Sequence, residues 1–221
     1  MNELTGNLHW GVALAIAYLA GSFPTAYLAG RLLKGIDLRT VGSGNLGASN
    51  VFRNLGALPG IVVLLIDAAK GALPVLYLPK HIKGVWFFES REVLVWGLAC
   101  GILAIAGHAK PIFLGWKGGG KGVATAAGVF GALAPVSLGI SLIVFIAVTA
   151  GSGIISLGSI SAAIVLPIAV AVVKGVQSPI FTVALLIGVF VVWSHRGNIA
   201  RLRAGTEPRS FGSGKKQKEA Q

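Results

Sequence analysis

The sequence predicts an all-α protein, a polytopic bundle of membrane helices, and three observations lead there. Of 221 residues, 54% are hydrophobic and 12% charged, and mean hydropathy is +0.79. The apolar residues come in long runs, on the scale of the roughly 20 residues that a helix needs to cross hydrocarbon. Glycine reaches 32 residues, which suits helices that approach one another closely in lipid. The single cysteine, Cys100, lies inside an apolar run, so no intrachain disulfide forms and the thiol reads as a packing group.

Taken in order, the first apolar segment runs from about Leu8 to Leu33, with Ser22 and Pro24 near its middle. It lacks a basic leader, so it reads as an uncleaved span rather than a signal peptide. A polar loop follows over residues 34–55, and between Arg31 and Arg53 it carries Arg31, Lys34, Arg39 and Arg53 against Asp37. That excess of positive charge assigns it to the cytoplasmic side. The second span, about 57–79, holds Asp67 and Lys70 three residues apart on one helix face, where they neutralise each other. A structural pair is favoured over direct substrate contact. Residues 80–92 form a short amphipathic connection whose Trp86, Phe87 and Phe88 suit the bilayer interface. The third span, about 93–114, returns the chain to a second basic loop with Lys110, Lys117 and Lys121.

The remaining spans are a parity problem. Val123 to Ala150 is apolar, roughly 42 Å as one helix at about 1.5 Å per residue, with Pro135 near its centre. Apolar runs at 153–173 and 180–193 follow, and the tail beyond holds Arg196, Arg201, Arg203 and Arg209. A single span over 123–150 would put this basic tail outside; a break at Pro135 restores it to the cytoplasm. Seven transmembrane helices are therefore favoured over five, with the N-terminus outside and the C-terminus cytoplasmic. Residues 1–209 read as one integral membrane domain and 210–221 as a disordered polar tail. The net charge of +12, from 19 basic and 7 acidic residues, would suggest nucleic acid in a soluble protein. Here the basic residues lie between apolar segments, which points to membrane orientation and anionic substrates and to no nucleic-acid partner.

Three polar stretches carry the chemistry, and the topology gathers them on one membrane face. In GSGNLGASNVFR (42–53), Gly42, Gly44 and Gly47 fit G-x-G-x-x-G, but no strand precedes them, so a dinucleotide fold is excluded. In GHAKPIFLGWKGGGKGVAT (107–125), Gly115, Gly120 and Lys121 approach the P-loop pattern, with Gly122 where a magnesium-binding hydroxyl belongs. Nucleotide hydrolysis is disfavoured, yet glycines opening onto a helix at about Val123 offer backbone N–H groups and a positive dipole end to a phosphate, with lysines as point charges. The plainer alternative is that the glycines pack helices and the lysines set topology. In HRGNIARLRAGTEPR (195–209), His195, Asn198 and Arg201 recur every three residues, so a continued helix would align them on one face able to bind a polyol and a phosphate. A lone histidine at a helix end is otherwise a cap or core hydrogen-bonder.

With DAAKG at 67–71 between the first two, these motifs resemble, in order and spacing, the acyl-phosphate-dependent glycerol-3-phosphate acyltransferases of bacteria. The resemblance runs from the first span to Arg209. Ser49 stands where threonine is commoner in that family, and three glycines stand where two are commoner, which leaves open which of Lys117 and Lys121 plays which role. The resemblance implies an inner-membrane enzyme that acylates the 1-hydroxyl of glycerol 3-phosphate from acyl phosphate, making lysophosphatidic acid without coenzyme A, metal or other cofactor. Its site would comprise His195 and Asn198 as catalytic residues. Ser43, Asn45, Ser49, Asn50, Arg53, Lys117, Gly118, Gly119, Gly120, Lys121, Thr125 and Arg201 would hold phosphate and glycerol, with Asp67, Lys70 and Glu207 as structural polar groups. Partners implied are the two substrates and membrane lipid, with no protein partner.

The residue chemistry is compatible. No G-x-S-x-G elbow is present, and no aspartate after Asp67 could orient a C-terminal histidine. An acyl phosphate is already an activated anhydride, so positioning the hydroxyl and stabilising the departing phosphate are the main tasks. The attacking proton passes to His195 or to a substrate phosphate oxygen. A small transporter or channel for a phosphorylated anion is the competing class, but its usual internal repeat is missing from the sequence.

Overall fold

A computed structural model describes residues 3–86 and 89–210, with side chains from residue 9 onward. Among the described residues every regular element is helical. The chain divides into two compact units, Met1–Leu133 and Ala134–Gln221. The first holds α1 (Glu3–Ser22), α2 (Thr25–Lys34), α3 (Ala48–Leu55), α4 (Ala57–Lys83), α5 (Arg91–Ala109), a short 3-10 turn (Ile112–Leu114) and α6 (Val123–Leu133). The second holds α7 (Pro135–Ser152), α8 (Ile155–Lys174), α9 (Pro179–Ser194) and α10 (Arg196–Arg203). Among the described residues five segments are long and apolar enough to cross a membrane: His9–Lys34, Ala57–Lys83, Arg91–Leu114, Pro135–Ser152 and Ile155–Lys174. The pair α9–α10, bent by 54°, is a sixth candidate, and α6 is a shorter apolar helix.

The expected break near Pro135 is present: α6 stops at Leu133 and Pro135 opens α7, a position where its missing N–H leaves nothing unpaired. The first apolar segment is also broken. Pro24 separates α1 from α2, because a proline supplies no amide to the ladder and disfavours helix in the residue before it. The loop expected over 34–55 is only half a loop, since its second part forms α3 with Asn50 and Val51 buried. Helix α4 runs past residue 79 to Lys83, where an ion pair with Glu92 at 2.8 Å joins it to α5. In the connection beyond, Trp86 lies under the Lys80 ammonium, 3.6 Å from the ring centroid; Phe87 and Phe88 fall outside the described residues, as does the expected tail beyond Ser210.

Glycine brings the helices of the first unit into backbone contact. A side chain at Gly21 would strike the Ala104 carbonyl and one at Gly107 the Tyr18 carbonyl, so α1 and α5 meet at a reciprocal pair of bare positions. Helices α4 and α6 repeat the device, with Gly71 against the Thr125 carbonyl and Gly128 against the Ala68 carbonyl. Lower on α1, Trp10 stacks on Trp96 of α5 at 4.4 Å, over buried Ala13, Ala17 and Cys100. The cysteine is thus a packing residue. A second cluster seats the first polar loop on the bundle, where Leu38 and Leu46 are buried with Ala26, Val51 and Val63. In the second unit α8 packs beside both α7 and α9, with Gly188 at the Ala163 carbonyl and the Ser137 hydroxyl donating to the Ala169 carbonyl at 3.3 Å.

Two alanine substitutions separate packing glycines from the rest. Gly128→Ala overpacks the α4–α6 contact and is expected to cost about 1 to 3 kcal/mol, lowering the melting temperature in detergent by roughly 2 to 12 °C. Gly139→Ala, with open space around the added carbon, leaves it unchanged or slightly raised.

Candidate active site

The first polar loop is built around a side chain that never leaves it. Asn50, fully buried at the start of α3, donates its amide to the Leu38 carbonyl at 3.0 Å and the Val41 carbonyl at 3.2 Å. Its amide oxygen accepts the Ser43 backbone N–H at 3.1 Å and the Asn54 amide at 3.0 Å. Asn50, expected among the substrate-holding groups, therefore spends its hydrogen-bonding capacity on shaping the loop that carries Ser43 at the surface and Asn45 half-buried. Ser49 and Arg53, both half-buried, belong to α3. Asp37 braces the other side of the loop through Arg39, with the guanidinium 2.7 Å from a carboxylate oxygen. The hydrogen bonds from Arg39 hold the Asp37 carboxyl down at about 2, from an ordinary 3.8.

The second loop lies over the C-terminal end of α5. The Gly120 N–H donates to the His108 carbonyl at 3.0 Å, and no side chain fits at Gly119, which faces the His108 and Ala109 carbonyls, or at Gly120, which lies on the His108 imidazole. Gly118 has φ of 73°, a left-handed conformation suited to glycine, and presses on the Arg39 side chain. The two loops meet directly, because Leu46 N–H donates to the Gly119 carbonyl at 3.4 Å. Lys117 is exposed and Lys121 half-buried, and the Ala126 N–H donates to the Gly122 carbonyl at 2.8 Å as α6 begins. Thr125 is fully buried against Gly71 of α4 and so serves the helix contact.

Two residues to which the sequence assigns no site role stand beside these loops. Arg39 counts in the sequence only toward topology, and His108, on the apolar side of the second motif, counts not at all; their spacing gives no signal, and only the chain's return brings them to the glycines. Asp67 and Lys70 do pair, at 2.8 Å and nearly free of solvent. His108 Nδ1 lies 3.9 Å from the second Asp67 oxygen.

In the second unit, the helix does not continue through the third motif. It bends by 54° at His195, so the three residues do not share one straight face. His195 is buried, and its Nδ1 lies 2.7 Å from the Val191 carbonyl. A carbonyl only accepts, so Nδ1 carries the proton and Nε2 is the basic nitrogen of the neutral ring. A backbone carbonyl one turn back thus orients this ring, where the sequence offered no carboxylate. Asn198 and Arg201 converge on Glu207, which takes 2.6 Å hydrogen bonds from the Asn198 amide, the Arg201 Nε and the Ser156 hydroxyl. Burial opposes the charge on Glu207, but these three donors outweigh it and hold its carboxyl below the ordinary value. Glu207, expected as a structural partner for the arginines of its motif, takes Arg201 together with Asn198 and, as a partner that spacing could not show, Ser156 of α8.

This is an integral membrane helical protein in which two glycine-rich polar loops meet. The comparisons make the class specific: the family model for glycerol-3-phosphate acyltransferase matches residues 11–205, and the chain belongs to that family. A glycerol-3-phosphate acyltransferase of Synechococcus sp. (strain CC9902) is 49% identical over 91% of this chain and 96% of its own. One from Geobacter sulfurreducens is 46% identical over 90% and 96%. The crystal structure of PlsY, an integral membrane glycerol 3-phosphate acyltransferase, in its glycerol 3-phosphate form superposes with a TM-score of 0.81 at 36% identity, covering 92% of this chain and 96% of that one. Its lysophosphatidic acid form gives 0.77 at 35%.

The Glu207 hub sets a pH expectation. A carboxyl with a lowered folded pKa contributes stability that is fully present above its ordinary value of 4.5 and is lost as pH falls through the lowered one. Glu207→Ala, which removes a shared acceptor from Ser156, Asn198 and Arg201, should cost about 1 to 3 kcal/mol in thermal unfolding between pH 5 and 8. The difference from wild type should be constant across that range and shrink only below pH 4.5.

Proposed function

We propose that this protein transfers an acyl group from acyl phosphate to the 1-hydroxyl of sn-glycerol 3-phosphate, releasing phosphate and lysophosphatidic acid, in the first acylation of bacterial phospholipid synthesis. The observation that carries the reading is the meeting of the two glycine loops at Leu46 and Gly119, which puts two anion-suited motifs side by side in a protein of an acyltransferase family. Membership in that family displaces the transporter reading. Two phosphorylated substrates need two sets of donors, and the first unit offers Ser43 and Asn45 on one loop and Arg53 on α3, with Lys117, Lys121 and the glycine amides on the other loop.

In this mechanism the glycerol hydroxyl attacks the acyl carbonyl carbon, a new ester C–O bond forms, and the C–O bond to phosphate breaks. Lysines and backbone amides stabilise the departing phosphate. The family resemblance assigns positioning of the hydroxyl to His195, with Asn198 and Arg201 on α10, and the proton passes to a substrate phosphate oxygen. Asn50 and Thr125 act indirectly, by shaping the first loop and the α4–α6 contact. We further propose the bacterial cytoplasmic membrane as location, with α6 as a short seventh crossing, the N-terminus outside and the three motifs facing the cytoplasm.

Several measurements test this. Inorganic phosphate should appear from acyl phosphate only when glycerol 3-phosphate is present. Lys121→Ala should lose a charge-assisted contact of about 1.5 to 3 kcal/mol, roughly 10 to 150-fold in substrate affinity; wild-type affinity would leave the lysine a topological role. His195→Asn should retain appreciable activity and a limb near pH 6, about the second pKa of a phosphomonoester. If His195 were the base, that variant would be as impaired as His195→Ala, by about 100 to 10,000-fold, and the limb would vanish. For topology, cysteines at Ser43, Lys117 and Thr206 should react with an impermeant thiol reagent only from the cytoplasmic side and one at Lys83 only from outside.

A further inference from the structure

Beneath the glycine loop lies a set of buried charges that the proposed chemistry does not use. The Lys70 ammonium is 2.8 Å from one Asp67 oxygen, and the other Asp67 oxygen is 3.9 Å from His108 Nδ1. All three side chains are at least nine-tenths buried. On one side the cluster reaches the break in the first span, where Lys70 donates to the Phe23 carbonyl at 2.8 Å and lies 3.4 Å from the Thr25 hydroxyl. On the other side the His108 ring is the floor on which Gly120 rests, and the His108 carbonyl holds the Gly120 N–H. A small cleft between them is lined by Phe23, Thr25, Asp67, Lys70, His108 and Gly120 among others.

A buried ion pair is a poor device for stability alone, since apolar residues of similar volume serve as well or better. It is useful where one particular arrangement must be enforced. Here it connects two places where the backbone departs from helix, the Pro24 break and the glycine loop, and His108 is the link between them.

We propose that Asp67, Lys70 and His108 form a positioning platform that sets the conformation of Gly118–Lys121 and through it the affinity of the loop for a phosphate monoester. They are positioning residues, acting through the loop without touching the substrate. The proposal rests on the reading of this loop as a phosphate site.

The test is equilibrium binding of sn-glycerol 3-phosphate and, separately, inorganic phosphate to the purified full chain in detergent. His108→Ala should weaken binding at least tenfold, while His108→Asn, which keeps a polar edge against Asp67, recovers a large part. The neutralised pair Asp67→Asn with Lys70→Gln should weaken binding by a similar factor. His81→Gln, exposed near the far end of α4, should bind as wild type. Combining His108→Ala with Lys121→Ala should weaken binding by less than the product of the two single losses, because both act on one loop; a full product of losses overturns the platform. Weakened binding in Lys117→Ala or Lys121→Ala with wild-type binding in the His108 variants and the neutralised pair also overturns it, while leaving the phosphate loop standing. Wild-type binding in all the loop variants sinks both readings. Should His108→Ala fail to fold, the neutralised pair combined with Lys121→Ala serves the same cycle: a loss smaller than the product supports the platform, and a full product overturns it.

Discussion

In hydrocarbon, a backbone polar group that leaves the helix must find a partner inside the protein, and the first unit is arranged around that constraint. Pro24 interrupts the first span, and the Phe23 carbonyl beside it accepts from Lys70. Lys70 is an ammonium that could not stand in the membrane alone, and Asp67 three residues away neutralises it. The break, the lysine and the aspartate therefore form one unit, since each is costly without the others.

The same constraint shapes the loops. Asn50 satisfies two carbonyls and a backbone N–H of the first loop from a fully buried site, so the loop keeps a defined form without belonging to a helix or sheet. The His108 and Ala109 carbonyls at the end of α5 are covered by glycines 119 and 120, which only residues without a Cβ could do. Stretches outside helix and sheet are thereby held in one conformation by buried partners.

In the second unit, a single acid gathers the segment after the bend. Glu207 gathers Ser156, Asn198 and Arg201, and the Ser210 N–H donates to the Gly153 carbonyl at 2.7 Å. The chain beyond α10 is thus returned to the turn between α7 and α8. At the bend, the Val191 carbonyl accepts from His195 Nδ1. A carbonyl orients an imidazole without raising its basicity as a carboxylate would, consistent with a ring that positions rather than abstracts.

Much of this was legible in the residues themselves. Helical class, the apolar spans, the break at Pro135 and the Asp67–Lys70 pair follow from run length, proline chemistry and i, i+3 spacing, all of which act between chain neighbours. The order of motifs was enough to suggest the family. What needed the tertiary structure was everything that depends on residues distant in sequence. Asn50 was indistinguishable from a ligand-binding amide until its loop closed on it, and Thr125 looked accessible until α4 covered it. The every-third-residue pattern from His195 to Arg201 implied a straight face, but a helix bends according to what its end packs against, and spacing cannot register that. His108 and Arg39 gained their places only because α5 and the first loop both end at the same glycines, a coincidence in space that a linear pattern does not contain.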